Sequence, residues 1–339
     1  MIAFGHLGPR TLYDDDAIVK FETKVPEVRE TDVLVRVAYV GMNALDAKLR
    51  ATAKATADQP RILGFEGVGH IETVGSSVRN FVPGDRVAWL GQIDRPGATA
   101  EFTCVDHRLA ALVPDSVASR DAAAMPMAYV TAYGLLINKM GLGQDQRGVL
   151  VIVNGAGGVG SAAIQIARQM TSMTVIATAS RDETREWCRL MGAHEVISHR
   201  GSMADNLKNA GYRSVTAIAS LTNTQTNFPD LLKRLVPNGT LGIIDQPASI
   251  NAALLRPKAQ RLAFEGAFVP SLMQPEAMRG QSAALEKMLG WMSDGTFQSI
   301  RYSAVDNIST GVLKEAHRKL EAQSGVGKTV LKVSRAHMG

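Results

Sequence analysis

The chain has 339 residues, enough for two domains at roughly 150 residues each. It is 45% hydrophobic and 20% charged, with 31 Gly and 13 Pro, which excludes a disordered, collagen-like or coiled-coil chain. The net charge of +5 comes from dispersed Lys and Arg. That pattern disfavours a nucleic-acid partner and suits a phosphate-bearing ligand. Cys104 and Cys188 are the only cysteines and lack C-x-x-C spacing, so no disulfide framework is expected. Met1 to His6 lacks the charged and apolar regions of a secretory leader, and a cytoplasmic location is expected.

In chain order, the first third reads as β-rich. Residues 32–41 and 67–75 carry β-branched alternation, Pro83-Gly84 precedes a short strand, and 100–105 supply another. Short strands punctuated by Gly and Pro predict a barrel-like domain. Ser119 is placed to cap a helix, which Met125-Pro126 interrupts or restarts. Val149 to Val153 is an all-apolar run suited to a strand buried on both faces. A glycine-rich turn, a helix from 159, a strand over 174–178 and a helix over 181–191 follow. Short strands at 196–197, 215–219 and 240–244 continue the alternation, and Phe268-Val269 are read as ending another. The class is α/β, with a doubly wound parallel sheet beside the barrel-like part. Residues 310–324 form a charged amphipathic helix and 327–333 a terminal strand, with Ser334 to Gly339 set aside as a tail. The run without charge at 149–167 is broken by Asn154, four glycines, Ser161 and Gln165, so no membrane span is predicted.

The strongest motif is Asn154-Gly155-Ala156-Gly157-Gly158-Val159-Gly160. A Gly-x-Gly-x-x-Gly between a buried strand and a helix is the context in which it binds a dinucleotide pyrophosphate. Gly155 permits the tight turn, Gly157 the close approach, and Gly160 the helix–strand packing. A ligand-free turn is the alternative. The next strand ends in Ala179-Ser180-Arg181, without the acid that bonds an NAD ribose. Ser180 and Arg181 therefore favour the 2′-phosphate of NADPH, unless Arg181 is simply a solvated first-turn residue.

The order of these segments, with Gly64-Phe-Glu-Gly-Val-Gly-His-Ile-Glu-Thr-Val-Gly75, Pro83-Gly-Asp-Arg-Val87, Gly97-Ala-Thr-Ala-Glu-Phe102, Thr131-Ala-Tyr133, Gly192-Ala-His-Glu-Val-Ile197 and Gly327-Lys-Thr-Val-Leu331, resembles the medium-chain dehydrogenase/reductase superfamily. Within it, the chain is similar to the quinone oxidoreductase branch that includes zeta-crystallin. The Ile93 to Gly97 loop and the 179–187 segment look like its zinc-binding alcohol dehydrogenase-like subgroup. The resemblance implies a GroES-like catalytic domain over 1–122 and 270–339 and a Rossmann NADPH-binding domain over 123–269. It implies cofactor contacts at Thr131, Gly155, Gly157, Gly158, Val159, Gly160, Ser180, Arg181, His199, Asn223, Asp245, Phe268 and Val269, and a homodimer.

Where the family's zinc enzymes place a Cys and a His, this chain has Asn43 and Phe65. Neither is an adequate zinc donor, so no catalytic or structural zinc is expected. Without that Lewis acid, hydride must reach an acceptor that delocalises its own negative charge. NADPH-dependent reduction of quinones or α,β-unsaturated carbonyls meets that need. Asn43, Asp46 and Lys48 are the candidate catalytic residues. Each has a structural alternative: a turn residue, a cap and a solvated lysine. Tyr129, Tyr133 and Arg95 are weaker candidates. A reductase of aldehydes or ketones is the alternative enzyme. An NADPH-binding sensor, structural or RNA-associated protein with little turnover is the non-enzyme reading.

Overall fold

In the computed structural model, which describes residues 1–333, the chain forms two units. One is Met1–Val130 with the described residues from Phe268 onward, and the other is Thr131–Ala267. The family-based expectation was a division at 122/123 and 269/270.

The first unit contains β1 (Ile2–His6), β2 (Val19–Glu22), β3 (Asp32–Gly41), α1 (Ala44–Thr52), β4 (Arg61–Ile62), β5 (Glu66–Val74), β6 (Arg86–Leu90), β7 (Phe102–Asp106) and β8 (Ala110–Leu112). After α2 (Ser119–Ala122), the chain leaves this unit inside α3 (Pro126–Tyr133). Pro126 does restart a helix, because proline fits the first turn, where no intrahelical N–H is needed. Ala118, rather than Ser119, is the cap of α2; the Ser119 hydroxyl accepts from Arg86 instead.

β3 is flanked by β5, β7 and β16 (Lys328–Lys332). Covered on both faces, it leaves only Arg36 exposed. Val33, Val35, Val37 and Val40 enter a core with Trp89, Leu109 and Leu331.

The second unit is a six-stranded parallel sheet. Its strands are β9 (Val149–Val153), β10 (Thr174–Thr178), β11 (Glu195–Ile197), β12 (Val215–Ser220), β13 (Leu235–Ile243) and β14 (Arg261–Phe264). The spatial order is β11-β10-β9-β12-β13-β14, the 3-2-1-4-5-6 arrangement of the doubly wound dinucleotide fold, whose switch point falls between β9 and β12. Helices α4 (Gly158–Met170), α5 (Asp182–Leu190), α6 (Met203–Asn209) and α7 (Thr224–Arg234) connect the strands. Gly192, at φ 103°, follows α5 and closes it as expected.

The expectation at Phe268-Val269 is corrected. The strand stops at Phe264, and Phe268 instead caps α8 (Val269–Met273). Pro270 in that first turn explains the change, since its fixed φ suits a helix start and it cannot donate to a ladder. The remaining elements are α9 (Met278–Ser293), β15 (Arg301–Val305) and α10 (Thr310–Glu321). The tail from Ser334 lies outside the described residues. Among those described, no helix is long and apolar enough to cross a membrane.

Candidate functional site

The glycine-rich turn occupies the switch point of the second unit. Asn154 leaves β9 in the left-handed region at φ 63°, and its amide bonds Thr178 Oγ1 at 3.0 Å. The Gly155 amide bonds the Thr178 carbonyl at 3.1 Å. A Cβ on Gly155 would lie 2.7 Å from Ala177 Cβ, and one on Gly160 would lie 2.3 Å from the Asn154 carbonyl oxygen. Both positions are buried; they are closed by the fold itself. Gly157 differs. It is half-buried, and a Cβ there would meet nothing closer than the Asn154 side-chain amide at 3.2 Å. Gly157 caps α4, so the amides of Gly158 and Val159 begin the helix without intrahelical acceptors. This open face, aimed by a helix N-terminus, fits a dinucleotide pyrophosphate.

At the tip of β10, Ser180 Oγ and His199 Nε2 lie 3.0 Å apart, so two sequence-predicted cofactor residues meet. Burial lowers the His199 imidazole pKa, with Arg200 and Arg181 adding to the effect. Arg181 is the cap residue of α5 and is exposed. Asn223, at φ 52°, precedes α7. The Asp245 carboxylate accepts from the Thr224 amide at 2.8 Å and from the Thr224 hydroxyl. Asp245 thereby ties the end of β13 to the start of α7. Thr131 is buried near the start of this unit.

In the first unit, Asn43 caps α1 and Asp46 lies one turn further. The Asp46 carboxylate accepts from the Asn43 amide at 2.8 Å and the Gly64 amide at 3.0 Å, the return half of a capping box. Burial pushes its carboxyl up to about 6, with the Asn43 amide, Lys328 and the Gly64 amide acting against that rise. Lys48 is exposed on α1, outside this buried group. The Asn43 side chain is held at both ends. Its Oδ1 accepts from Lys328 Nζ at 2.5 Å, and its Nδ2 donates to Glu66 Oε1 at 2.7 Å. Lys328 and Glu66 stand inside family-like motifs, yet sequence reasoning assigned them no role.

Other candidates resolve as packing. Tyr129 is fully buried and stacks on Phe297 with centroids 5.5 Å apart. Arg95 grips Asp32 through two bonds of 2.9 and 2.6 Å. Cys104 and Cys188 are buried, and burial pushes their thiols up to about 11 and about 12, as expected of core thiols.

A strand-rich unit together with a 3-2-1-4-5-6 sheet carrying this turn defines a two-domain dinucleotide-dependent oxidoreductase. Residues 29–115 match the alcohol dehydrogenase GroES-like domain, and residues 158–285 match the zinc-binding dehydrogenase domain. A structure from Rhizobium etli CFN 42, provisionally assigned as a zinc-dependent alcohol dehydrogenase, is 32% identical with a TM-score of 0.93, covering 98% of both chains. Escherichia coli quinone oxidoreductase complexed with NADPH shares the fold at 20% identity and a TM-score of 0.82, over 98% of this chain and 100% of that one. An NADPH-dependent alkenal/one oxidoreductase of Arabidopsis thaliana chloroplasts is 32% identical over 201 residues, 56% of this chain and 51% of its own. The chain belongs to the medium-chain dehydrogenase/reductase superfamily.

The zinc named by some of these relatives does not fit the residues present. The position of the ligating histidine is Phe65, whose ring packs edge-on against Phe268 at 5.7 Å. The cysteine position is Asn43, whose amide oxygen faces an ammonium group. Among the described residues, no cluster of three or more His, Cys, Asp or Glu is placed to hold a metal.

Proposed function

We propose that the protein is a zinc-independent, NADPH-dependent reductase of quinones or α,β-unsaturated carbonyls. The observation that carries this reading is Phe65 packed at a zinc-ligand position, in a chain that also carries an intact dinucleotide turn. When bound, the cofactor supplies a hydride from its nicotinamide. The chain's residues do the rest. The Gly157 to Val159 turn binds the pyrophosphate, with further cofactor contacts at Thr131, Gly155, Gly160, Asn223, Asp245, Phe268 and Val269. Ser180, Arg181 and His199 hold the 2′-phosphate. Asn43 donates to the substrate oxygen as negative charge develops there. Asp46 holds the Asn43 backbone in its cap geometry, and Lys48 serves as a donor to the cofactor or the developing oxyanion. The chloroplast alkenal/one oxidoreductase, similar over half the chain, supports the enone class. A homodimer is also proposed; β14 ends its sheet and exposes Phe264, leaving an edge suited to pairing.

The test is oxidation of NADPH and of NADH by chelator-treated protein, with an ortho-quinone and an enone in parallel. Turnover with NADPH is expected. Activity that returns only with added zinc would overturn the reading, and tight binding without turnover would favour a sensor or structural role. In the same assay, Arg181→Glu should weaken NADPH at least about tenfold more than NADH, as expected when a charge-assisted bond is replaced by repulsion. Equal losses would remove Arg181 from the phosphate site.

A further inference from the structure

The Asn43 amide is fixed by two charges that come from opposite ends of the chain. Lys328 is the first residue of β16 and only 5% exposed, while Glu66 opens β5 and is fully buried. Lys328 Nζ donates to the Met42 carbonyl at 2.9 Å, to Asn43 Oδ1 at 2.5 Å and to Glu66 Oε1. These are the three donors an ammonium possesses. Glu66 Oε1 also accepts from Asn43 Nδ2, and Glu66 Oε2 accepts from the Met127 amide at 2.7 Å.

A side-chain amide looks nearly symmetric, and only its partners decide which end is oxygen and which is nitrogen. Here both ends are determined. The oxygen must face the ammonium and the nitrogen must face the carboxylate. One Nδ2 hydrogen is used on Glu66. The other has only a long contact of 3.5 Å to the Gly41 carbonyl, beyond ordinary hydrogen-bond range. Asn43 therefore offers an N–H, not a carbonyl, to any ligand.

We propose that Lys328 and Glu66 are positioning residues that fix the Asn43 amide as a hydrogen-bond donor to a carbonyl or quinone oxygen. This rests on the reductase reading above. The pair selects substrates whose oxygen gains negative charge during reaction, and it works against alcohols bound through their own O–H. The ammonium on Oδ1 draws electron density through the amide and polarises the remaining N–H toward such an oxygen.

The test uses the full chain with Lys328→Met and Lys328→Arg. Removing the ammonium alone leaves Glu66 buried without its counter-ion, a change that can prevent folding. The doubly neutral variant Glu66→Gln with Lys328→Met avoids that and keeps the test decisive. Folding is checked by circular dichroism and NADPH affinity by fluorescence. The expected result is a kcat for the enone at least about tenfold lower in the Met variants, with NADPH affinity within twofold of wild type and partial recovery in Lys328→Arg. Independently of turnover, the Asn43 side-chain NH2 resonances of selectively labelled protein, assigned as those missing in Asn43→Ala, should shift in the Met variants. A folded Met variant with wild-type kcat, or with unmoved Asn43 resonances, overturns the proposal. A wild-type protein inactive on both quinone and enone overturns the reductase reading instead, while the resonances still test the clamp.

Discussion

Gly157→Val is expected to abolish binding of both NADPH and NADH in a protein that still folds, a loss of at least about 100-fold, or ~2.7 kcal/mol. The backbone at Gly157, φ −72° and ψ 169°, is one that any residue adopts. A Cβ there meets the flexible Asn154 amide at 3.2 Å and the Asn154 carbonyl oxygen only at an ordinary contact of 3.6 Å, so the added methyl groups occupy the half-open face where the pyrophosphate approaches. Gly160→Val should behave differently. Its Cβ would stand 2.3 Å from the Asn154 carbonyl oxygen and 2.7 Å from the Gly155 backbone. Backbone atoms cannot rotate away, and overpacking of this kind costs about 1–3 kcal/mol or more. Gly160→Val therefore lowers the melting temperature as well as binding, whereas Gly157→Val lowers binding alone. Calorimetric titration with each cofactor and a thermal melt of each variant separate the two. Tight cofactor binding by Gly157→Val would remove the turn from the cofactor site.

The second large effect lies in the first unit and concerns acid. His317 on α10 is 1% exposed, and among the described residues its Nδ1 has no hydrogen-bond partner. Burial, then the charges of Arg50 and His6, push its imidazole down to about 3. Arg50 from α1 is buried beside it and pairs with Glu321 and the Arg10 carbonyl. His6 from β1 is held at Nδ1 by the Gly8 carbonyl at 2.9 Å and is also lowered by burial. The folded state thus keeps His317 neutral, while the unfolded chain takes up a proton near the ordinary histidine value of 6.5. The unfolded state binds more protons between those two values, so stability falls as pH drops below 6.5. The slope is about 1.4 kcal/mol per pH unit and the loss about 3 kcal/mol by pH 4.

Asp46 acts with the opposite sign. Its folded value of about 6 exceeds its unfolded value of 3.8, so it favours the folded state as pH falls through that window. Only a difference measurement isolates the histidine. His317→Leu should therefore gain on wild type steadily from pH 6.5 to pH 4 in urea unfolding. Parallel profiles for the two proteins would show that His317 does not carry the acid sensitivity.

What could be read in the sequence was local. The run from Val149 to Gly160 states its own structure because strand, turn and helix follow one another within a dozen residues, each enforced by its neighbours. That Asn43 and Phe65 are poor zinc donors is legible for the same reason, since residue type alone decides whether an electron pair is available. Asp46 as a cap partner of Asn43 is likewise a contact across three positions. By contrast, Pro270 turned an expected strand end into a helix start at Phe268, a choice between two local signals that patterning did not resolve.

Only the tertiary structure decided how Asn43 is held. Lys328 reaches it across 285 positions and meets Glu66 across 262. No periodicity couples residues so far apart; they meet because β16 pairs antiparallel with β3, placing Val330 opposite Gly41. The same holds for His317 and Arg50, which β1, α1 and α10 bury together. In sequence a charged or titratable residue reads as solvated. Burial by distant elements is what makes these five side chains partners, because a charge removed from water must be paired or neutralised.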